Sequence, residues 1–118
     1  MGIVGFLPLV NKSSKVIILG SMPGVESLRI QQYYGYSRNQ FWEIMRHLLK
    51  KDSIGSYADK KKIMLNNRIA LWDVICSCKR NGSLDANLRD VKVNDFKSFL
   101  RRYPSIKAIF CNGQTAYK

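Results

Sequence analysis

Apolar and polar positions along the chain alternate between short unbroken apolar runs and stretches with helical spacing. Val16-Ile17-Ile18-Leu19 is a β-branched run that stops at Gly20. A run of this length without polar alternation predicts a strand buried on both faces, as in a parallel sheet. Ile69-Ala70-Leu71-Trp72-Asp73-Val74-Ile75 and Ile106-Lys107-Ala108-Ile109-Phe110 predict two more, the second followed by a small polar turn at Asn112-Gly113. Between them, Phe41, Ile44, Met45, Leu48 and Leu49 recur as one face of a helix. Just upstream, Ser37-Arg38-Asn39-Gln40 has the form of a capping box with Ser37 as N-cap. Ser56, with Asp59 three residues on, predicts a second start for a short basic helix reaching about Met64. A third helix is expected from Asn94 to Arg102, ending before Pro104 and turning Phe96, Phe99 and Leu100 inward. From Gly113 to Tyr117 another helical pattern begins and breaks off, which predicts a truncated chain. Strand and helix in alternation imply an α/β fold, a three-layer αβα arrangement around a small parallel sheet. Residues 1–118 read as one domain, with no repeat, linker or low-complexity tract.

Composition changes this picture mainly through charge. Twenty Lys and Arg stand against eight Asp and Glu, for a net charge of +12. Such an excess suits a polyanionic partner, because the field and counterion release both act on phosphate. Taken alone it fits a generically basic surface equally well. Only Lys12, Lys15 and Arg29 precede residue 37, so the positive charge surrounds the middle and end of the chain. Cys76, Cys78 and Cys111 follow no zinc or cluster spacing, so no metal is expected. They read as free core or near-core thiols of a reducing compartment, with Cys76 and Cys78 pointing the same way if on a strand. No apolar run reaches membrane-spanning length and the first residues lack a basic, cleavable leader, so a cytoplasmic location without membrane contact is expected.

Two segments carry candidate chemistry. Gly20-Ser21-Met22-Pro23-Gly24 follows the first strand, where ligands bind in open α/β sheets, beyond the strands' carboxyl ends. It lacks the Gly-Lys-Ser/Thr ending of a Walker loop and the glycine spacing of a dinucleotide fingerprint. The second segment runs from Gln31 to Trp42 and places three tyrosines before a helix start. Arg38 and Asn39 then fall in the first helical turn, where backbone N–H groups can hold a phosphate or a water. A neighbouring tyrosine, Tyr33 or Tyr34, can stack on a nucleobase. Phe41 and Trp42 read instead as core. Asp73 and Asp85 could pair as acid and base, although Asp73 fits a hydrogen-bonding residue at a strand end better. His47 lies off the apolar helix face and reads as solvated. Lys60-Lys61-Lys62 and Arg101-Arg102 read as solvated helix faces, some of which can touch phosphate.

In order along nearly the whole chain, these elements resemble family 6 of the uracil-DNA glycosylase superfamily, the hypoxanthine-DNA (deoxyinosine) glycosylases. The resemblance rests on Gly5-Phe6-Leu7-Pro8, Gly20-Ser21-Met22-Pro23, Ser27-Leu28, Gln32-Tyr33-Tyr34 and Arg38-Asn39-Gln40-Phe41-Trp42. It continues through Leu71-Trp72-Asp73-Val74, Gly82-Ser83-Leu84-Asp85 and Phe110-Cys111-Asn112-Gly113. It implies a monofunctional DNA repair glycosylase without metal or cofactor, which flips a deaminated base out of DNA and hydrolyses its N-glycosidic bond. On this resemblance Asn39 is the catalytic residue. Gly20, Ser21, Met22, Pro23, Gly24, Tyr33, Tyr34, Phe110 and Asn112 would surround the base, and Arg38, Lys60, Lys61 and Lys62 would contact DNA. The chain departs from the pattern at Tyr36-Ser37, where relatives usually carry His-Pro. The family's last strand and its second active-site loop have no counterpart before Lys118. The expected fragment would therefore have weak or no activity, and a non-catalytic basic nucleic-acid-binding module is the alternative.

Overall fold

The computed structural model describes residues 2–36, 39–53, 55–80 and 88–112. In chain order the elements are β1 (Gly2–Val4), β2 (Val16–Gly20), α1 (Val25–Ile30), α2 (Phe41–Leu48) and α3 (Tyr57–Asn66). There follow β3 (Ile69–Asp73), β4 (Ile75–Lys79), β5 (Arg89–Val93), α4 (Phe96–Arg102) and β6 (Ala108–Cys111). The three expected strands form one parallel sheet in the order β3-β2-β6. Val16 faces both Ile69 and Ala108 across it.

Side chains of this sheet alternate between two cores. Ile17, Leu19 and Ala70 pack with Phe99 and Ile106, so that α4 covers one face. Leu71, joined by Ile18 and Ile69, packs with Tyr33, Trp42, Met45 and Met64, so that α2 and α3 cover the other. This is the three-layer αβα arrangement. β2 and β3 are covered on both faces, which is why they read as apolar runs rather than alternating ones, whereas the edge strand β6 is largely exposed.

Several expectations need correction. The run from Ile69 to Ile75 is not one strand. It turns at Val74, whose N–H donates to the Gly20 carbonyl at 2.8 Å, and β4 then enters a second, antiparallel sheet in the order β1-β4-β5. Irregularities between Ile75 and Ser77, and again between Ser77 and Lys79, break the strand's alternation. Cys78 is therefore buried while Cys76 is exposed, rather than both facing one way. Cys111 is exposed on the edge strand β6, so only one of the three thiols is a core residue. All three are free.

Helix α2 begins at Phe41 with Gln40 as N-cap, several residues later than the Ser37 box required. Its buried side chains are Trp42 and Met45, with Phe41 and Leu49 packed beside them; Ile44 and Leu48 are exposed. The rotation follows from Trp42, whose indole N–H donates to the buried Tyr33 carbonyl at 2.9 Å and anchors that side of the helix. Helix α1 was not legible as a helix. By contrast Ser56 and Asp59 form the predicted capping box of α3. Asp95 caps α4, accepting from the Ser98 N–H at 3.1 Å, so this helix starts slightly later than Asn94. Ser37, Arg38, Asp85 and the rest of the Gly82–Asp85 motif, and the helical pattern from Gly113, lie outside the described residues. Among the described residues no helix is long and apolar enough to cross a membrane.

Candidate functional site

All three parallel strands run the same way, so their carboxyl ends converge, and a cavity of about 140 Å³ opens there. An apolar cavity of roughly that size admits one benzene-sized ring. Its walls include Gly20, Ser21, Met22, Pro23 and Gly24 from the loop after β2, with Ser27 from α1. Tyr33, Tyr34 and Asn39 join them from the segment before α2. Asp73 stands at the end of β3 and Asn112 just beyond β6. Residues far apart in sequence thus meet because each ends or follows a strand of one sheet.

The loop is held from both sides. The N–H groups of Val74 and Ile75 donate to the carbonyls of Gly20 and Ser21 at 2.8 and 3.0 Å. The Asn112 N–H donates to the Leu19 carbonyl at 2.7 Å. Met22 turns away from solvent into the core under the second sheet, against Ile75 and Cys78. The buried Arg80 donates from Nη2 to the Pro23 carbonyl, tying β4 to the same loop. Such anchoring pre-forms the cavity wall, as small-ligand sites usually require.

The two tyrosines divide the roles expected of either one. Tyr33 is buried; its hydroxyl donates to the Leu7 carbonyl at 2.8 Å and its ring meets Phe6 edge-on. It is a fixed wall. Tyr34 adopts a left-handed backbone (φ 54°), stacks on Phe41 with centroids 3.8 Å apart, and accepts the Asn112 amide N–H at 3.2 Å. Burial pushes the Tyr34 hydroxyl up to about 12. The Asn112 hydrogen bond opposes the rise and the nearby Asp73 carboxylate adds to it. Burial, helped by the same carboxylate, also raises the Tyr33 hydroxyl. Both tyrosines therefore stay neutral across the physiological range.

Asn39 is exposed at the edge of the cavity, and its Oδ1 accepts the Phe41 N–H at 2.8 Å. It sits just before the N-cap, not within the first turn as expected. The hydrogen bond makes it a helix-start residue and fixes its amide beside the cavity at once. An amide so held can still use its two N–H donors and a second carbonyl lone pair on a water or a base edge.

Of the residues expected around the base, Phe110 falls elsewhere. Phe110, on the edge strand β6, pairs in register with Ile18 of β2; its ring is exposed and does not line the cavity. Lys60, Lys61 and Lys62 lie on α3 away from the cavity walls. Lys60 Nζ is 5.6 Å from the Trp42 ring centroid and Lys61 Nζ is 5.2 Å from that of Tyr57. Sequence reasoning gave no site role to Ser27 and weighed Asp73 as an acid or base only to favour a hydrogen-bonding role at a strand end. Ser27 is buried, and its Oγ accepts the Gly35 N–H at 2.9 Å, which shapes the turn carrying Tyr34. Asp73 is buried at the cavity wall, and a Cβ on Gly20 would stand 2.6 Å from its Oδ1. The signal that could have found it was its place at the carboxyl end of an apolar run.

Comparison with known proteins connects this geometry to a family. Residues 7–118 match the family model described as the uracil DNA glycosylase superfamily. The chain is 37% identical over 113 residues to a hypoxanthine DNA glycosylase of Methanosarcina acetivorans, covering 95% of this chain and 72% of that protein. It is 35% identical over 112 residues to the hypoxanthine DNA glycosylase of Methanosarcina barkeri, covering 93% and 70%. The solution NMR structure of a Methanosarcina acetivorans protein described as a candidate uracil DNA glycosylase superposes with a TM-score of 0.86. That match has 37% identity and covers 98% of this chain and 73% of the other. Since fold and sequence agree with these relatives over nearly its whole length, the chain belongs to the uracil DNA glycosylase superfamily.

Proposed function

We propose that the cavity receives the base of a nucleotide turned out of DNA, and that Asn39 holds the water that releases it. By family the protein is a DNA repair glycosylase, a hydrolase of N-glycosyl bonds, with DNA as substrate. The finer reading is that the base is a deaminated one, hypoxanthine first and uracil second, following the names of the relatives. The observation that carries it is the cavity itself, which gathers the Gly20–Gly24 loop, Tyr34, Asn39, Asp73 and Asn112 at the strand ends.

Hydrolysis breaks the bond between C1′ and the base nitrogen, the electron pair leaving with the base. Water supplies the oxygen that bonds C1′, and its proton completes the neutral base. The sugar passes through an oxocarbenium-like state, so rate comes from placing the water and from stabilising the departing base. Asn39 suits the first task because its carbonyl is already oriented by the Phe41 N–H. The neutral Tyr34 hydroxyl and the Asn112 amide suit the second. Turning out a base costs a few kcal/mol and least for a mispaired one, which itself favours deaminated lesions. Arg38, Lys60, Lys61 and Lys62 are proposed to meet phosphates, and three free cysteines support a reducing, cytoplasmic location.

Incubation with an oligonucleotide containing deoxyinosine or deoxyuridine tests the reading. Abasic product is expected, falling by about 10²-fold or more in Asn39→Ala, the scale seen when one preorganised polar group is removed. A folded chain that binds DNA with steep salt dependence yet yields no product would support the non-catalytic binding module instead.

A further inference from the structure

The end of the parallel sheet opposite the cavity is built from cations. Arg68, Lys15 and Lys107 immediately precede its strands β3, β2 and β6. The Lys15 N–H donates to the Arg68 carbonyl at 2.8 Å, and the Lys107 N–H donates to the Lys15 carbonyl at 2.8 Å. The three residues are thus fixed side by side across the sheet, and all are exposed. Adjacent strands lie about 4.8 Å apart, so the row spans about 10 Å. Lys12, also exposed, joins it. The Ser105 hydroxyl lies 2.9 and 2.7 Å from the Lys12 and Ser14 carbonyls and donates between them, which clamps the loop before β2 against the segment entering β6. Helix α4 brings Arg101 and Arg102 in its last turn, a short turn before Ser105, while Asp95 caps its far end.

Elsewhere on the surface cations have acidic partners: Arg29 meets Glu26, Arg46 meets Glu43 and Lys79 meets Asp90. Among the described residues, Lys12, Lys15, Arg68 and Lys107 form no ion pair. Like charges on neighbouring strands repel. Arg68 also holds its place on a left-handed backbone (φ 64°) that glycine would adopt at less cost. The carboxyl ends of α3 and α4 point the same way and add about half a negative charge each, which these cations outweigh. We infer that this amino-end face binds the phosphates of a second DNA duplex, so that one chain holds two duplexes at once. A duplex carries one charge per about 1.7 Å of axis, so the row meets several phosphates together. One duplex cannot serve both faces. Lys15 and Gly20 are separated by the length of β2, about 16 Å, at ends that look in opposite directions, and DNA is stiff on that scale. The inference rests on DNA as the family's substrate and on the cavity as the face that takes the first duplex. A chain built this way passes from one DNA segment to another without release.

Native mass spectrometry of the chain with an excess of short duplex counts the partners. Each duplex spans about one helical turn and carries one non-cleavable 2′-fluorodeoxyinosine. One chain with two duplexes is expected. When Lys15→Ser, Arg68→Ser and Lys107→Ser are combined, affinity for the second duplex should fall at least about tenfold. Affinity for the first should change by less than about threefold, because at ~0.1 M salt the Debye length of about 10 Å is shorter than the separation of the two faces. Amide chemical shifts of the unaltered protein keep the test decisive if the variant does not fold. The first equivalent of duplex should move Gly20–Gly24 and Asn112, and the second Lys15, Arg68 and Lys107. A composition that stays at one duplex per chain, or one of two chains with two duplexes, would overturn the inference. So would an unchanged second affinity in the folded variant. Tighter binding of polyglutamate than of DNA at the amino-end face would assign that face to an acidic protein and overturn it as well. Amino-end shifts without any at the cavity would overturn the two-duplex claim through failure of the cavity reading, which tells the two failures apart.

Discussion

Gly20→Ala puts the geometry of the cavity under direct stress. The new Cβ would stand 2.6 Å from the Asp73 Oδ1 and 3.2 Å from the Tyr34 hydroxyl oxygen. An ordinary carbon–oxygen contact is about 3.3–3.6 Å. Asp73 is short and buried, so its carboxylate cannot swing into solvent to relieve the clash. Overpacking of this kind costs about 1–3 kcal/mol. The chain has 118 residues, and unfolding entropy near ~2.1 cal/mol/K per residue turns that cost into a fall in Tm of about 4–12 °C. The same methyl displaces Asp73 and takes up cavity space, so affinity for a duplex carrying an unpaired inosine should drop with the Tm. Thermal melting followed by circular dichroism, together with fluorescence anisotropy on that duplex, measures both. A variant melting within roughly 2 °C of the parent and binding the lesion equally well would refute the close approach of Gly20 to Asp73.

Further outcomes follow from other contacts. Trp42→Phe removes the N–H that satisfies the buried Tyr33 carbonyl; a loss of about 1–3 kcal/mol in chemical denaturation is expected. Reduced base release should accompany it, because the helix start carrying Asn39 is no longer anchored. Ser56→Ala breaks the α3 capping box and should cost about 1 kcal/mol of stability without changing lesion preference. Backbone and side-chain hydrogen bonds hold the Asp59 and Asp95 carboxyls below their usual range. Their contribution is present above the unfolded carboxylate pKa, about 4, and is lost as pH falls through the lower folded value; melting temperatures should drop in that acid window. At the other end, the Tyr34 hydroxyl is raised to about 12, so its contribution is full below the unfolded value of about 10 and fades as pH climbs toward 12. Tyr34→Phe should melt with a weaker dependence on pH over that interval. Replacing Lys60, Lys61 and Lys62 with alanine should flatten the plot of log affinity against log salt by about 0.9 for each lysine that meets a phosphate; an unchanged slope would remove α3 from the DNA interface.

The parallel sheet was legible in the sequence because β2 and β3 are covered on both sides, which leaves unbroken apolar runs such as Val16–Leu19. The capping box at Ser56 was legible because it is local chemistry between residues three apart. The second sheet was not: every residue of β5 is exposed, β1 has three residues, and β4 is interrupted by irregular pairing. None of the three presents a clean period. The face of α2 was misjudged because the anchor is one tertiary hydrogen bond from Trp42, which helical spacing does not reveal. Most of the cavity was visible as separate segments, and the fold supplied their meeting point. Asp73 could be placed at a strand end but not across from Gly20, since that contact depends on the register between β2 and β3. Phe110 was misplaced for the converse reason. Its closeness to Asn112 in sequence suggested the cavity, while on the edge strand β6 its ring stays exposed.

The central claim is that a base turned out of DNA enters the cavity at the ends of β2, β3 and β6. Amide chemical shifts of the isotopically labelled protein, compared between a duplex with one 2′-fluorodeoxyinosine and the same duplex undamaged, test it most directly. Lesion-specific changes are expected at Gly20–Gly24, Tyr34, Asn39, Asp73 and Asn112, over a background of shifts common to both duplexes along basic surfaces such as α3. Identical spectra for the two duplexes, or lesion-specific changes confined to α4 and the second sheet, would contradict the account.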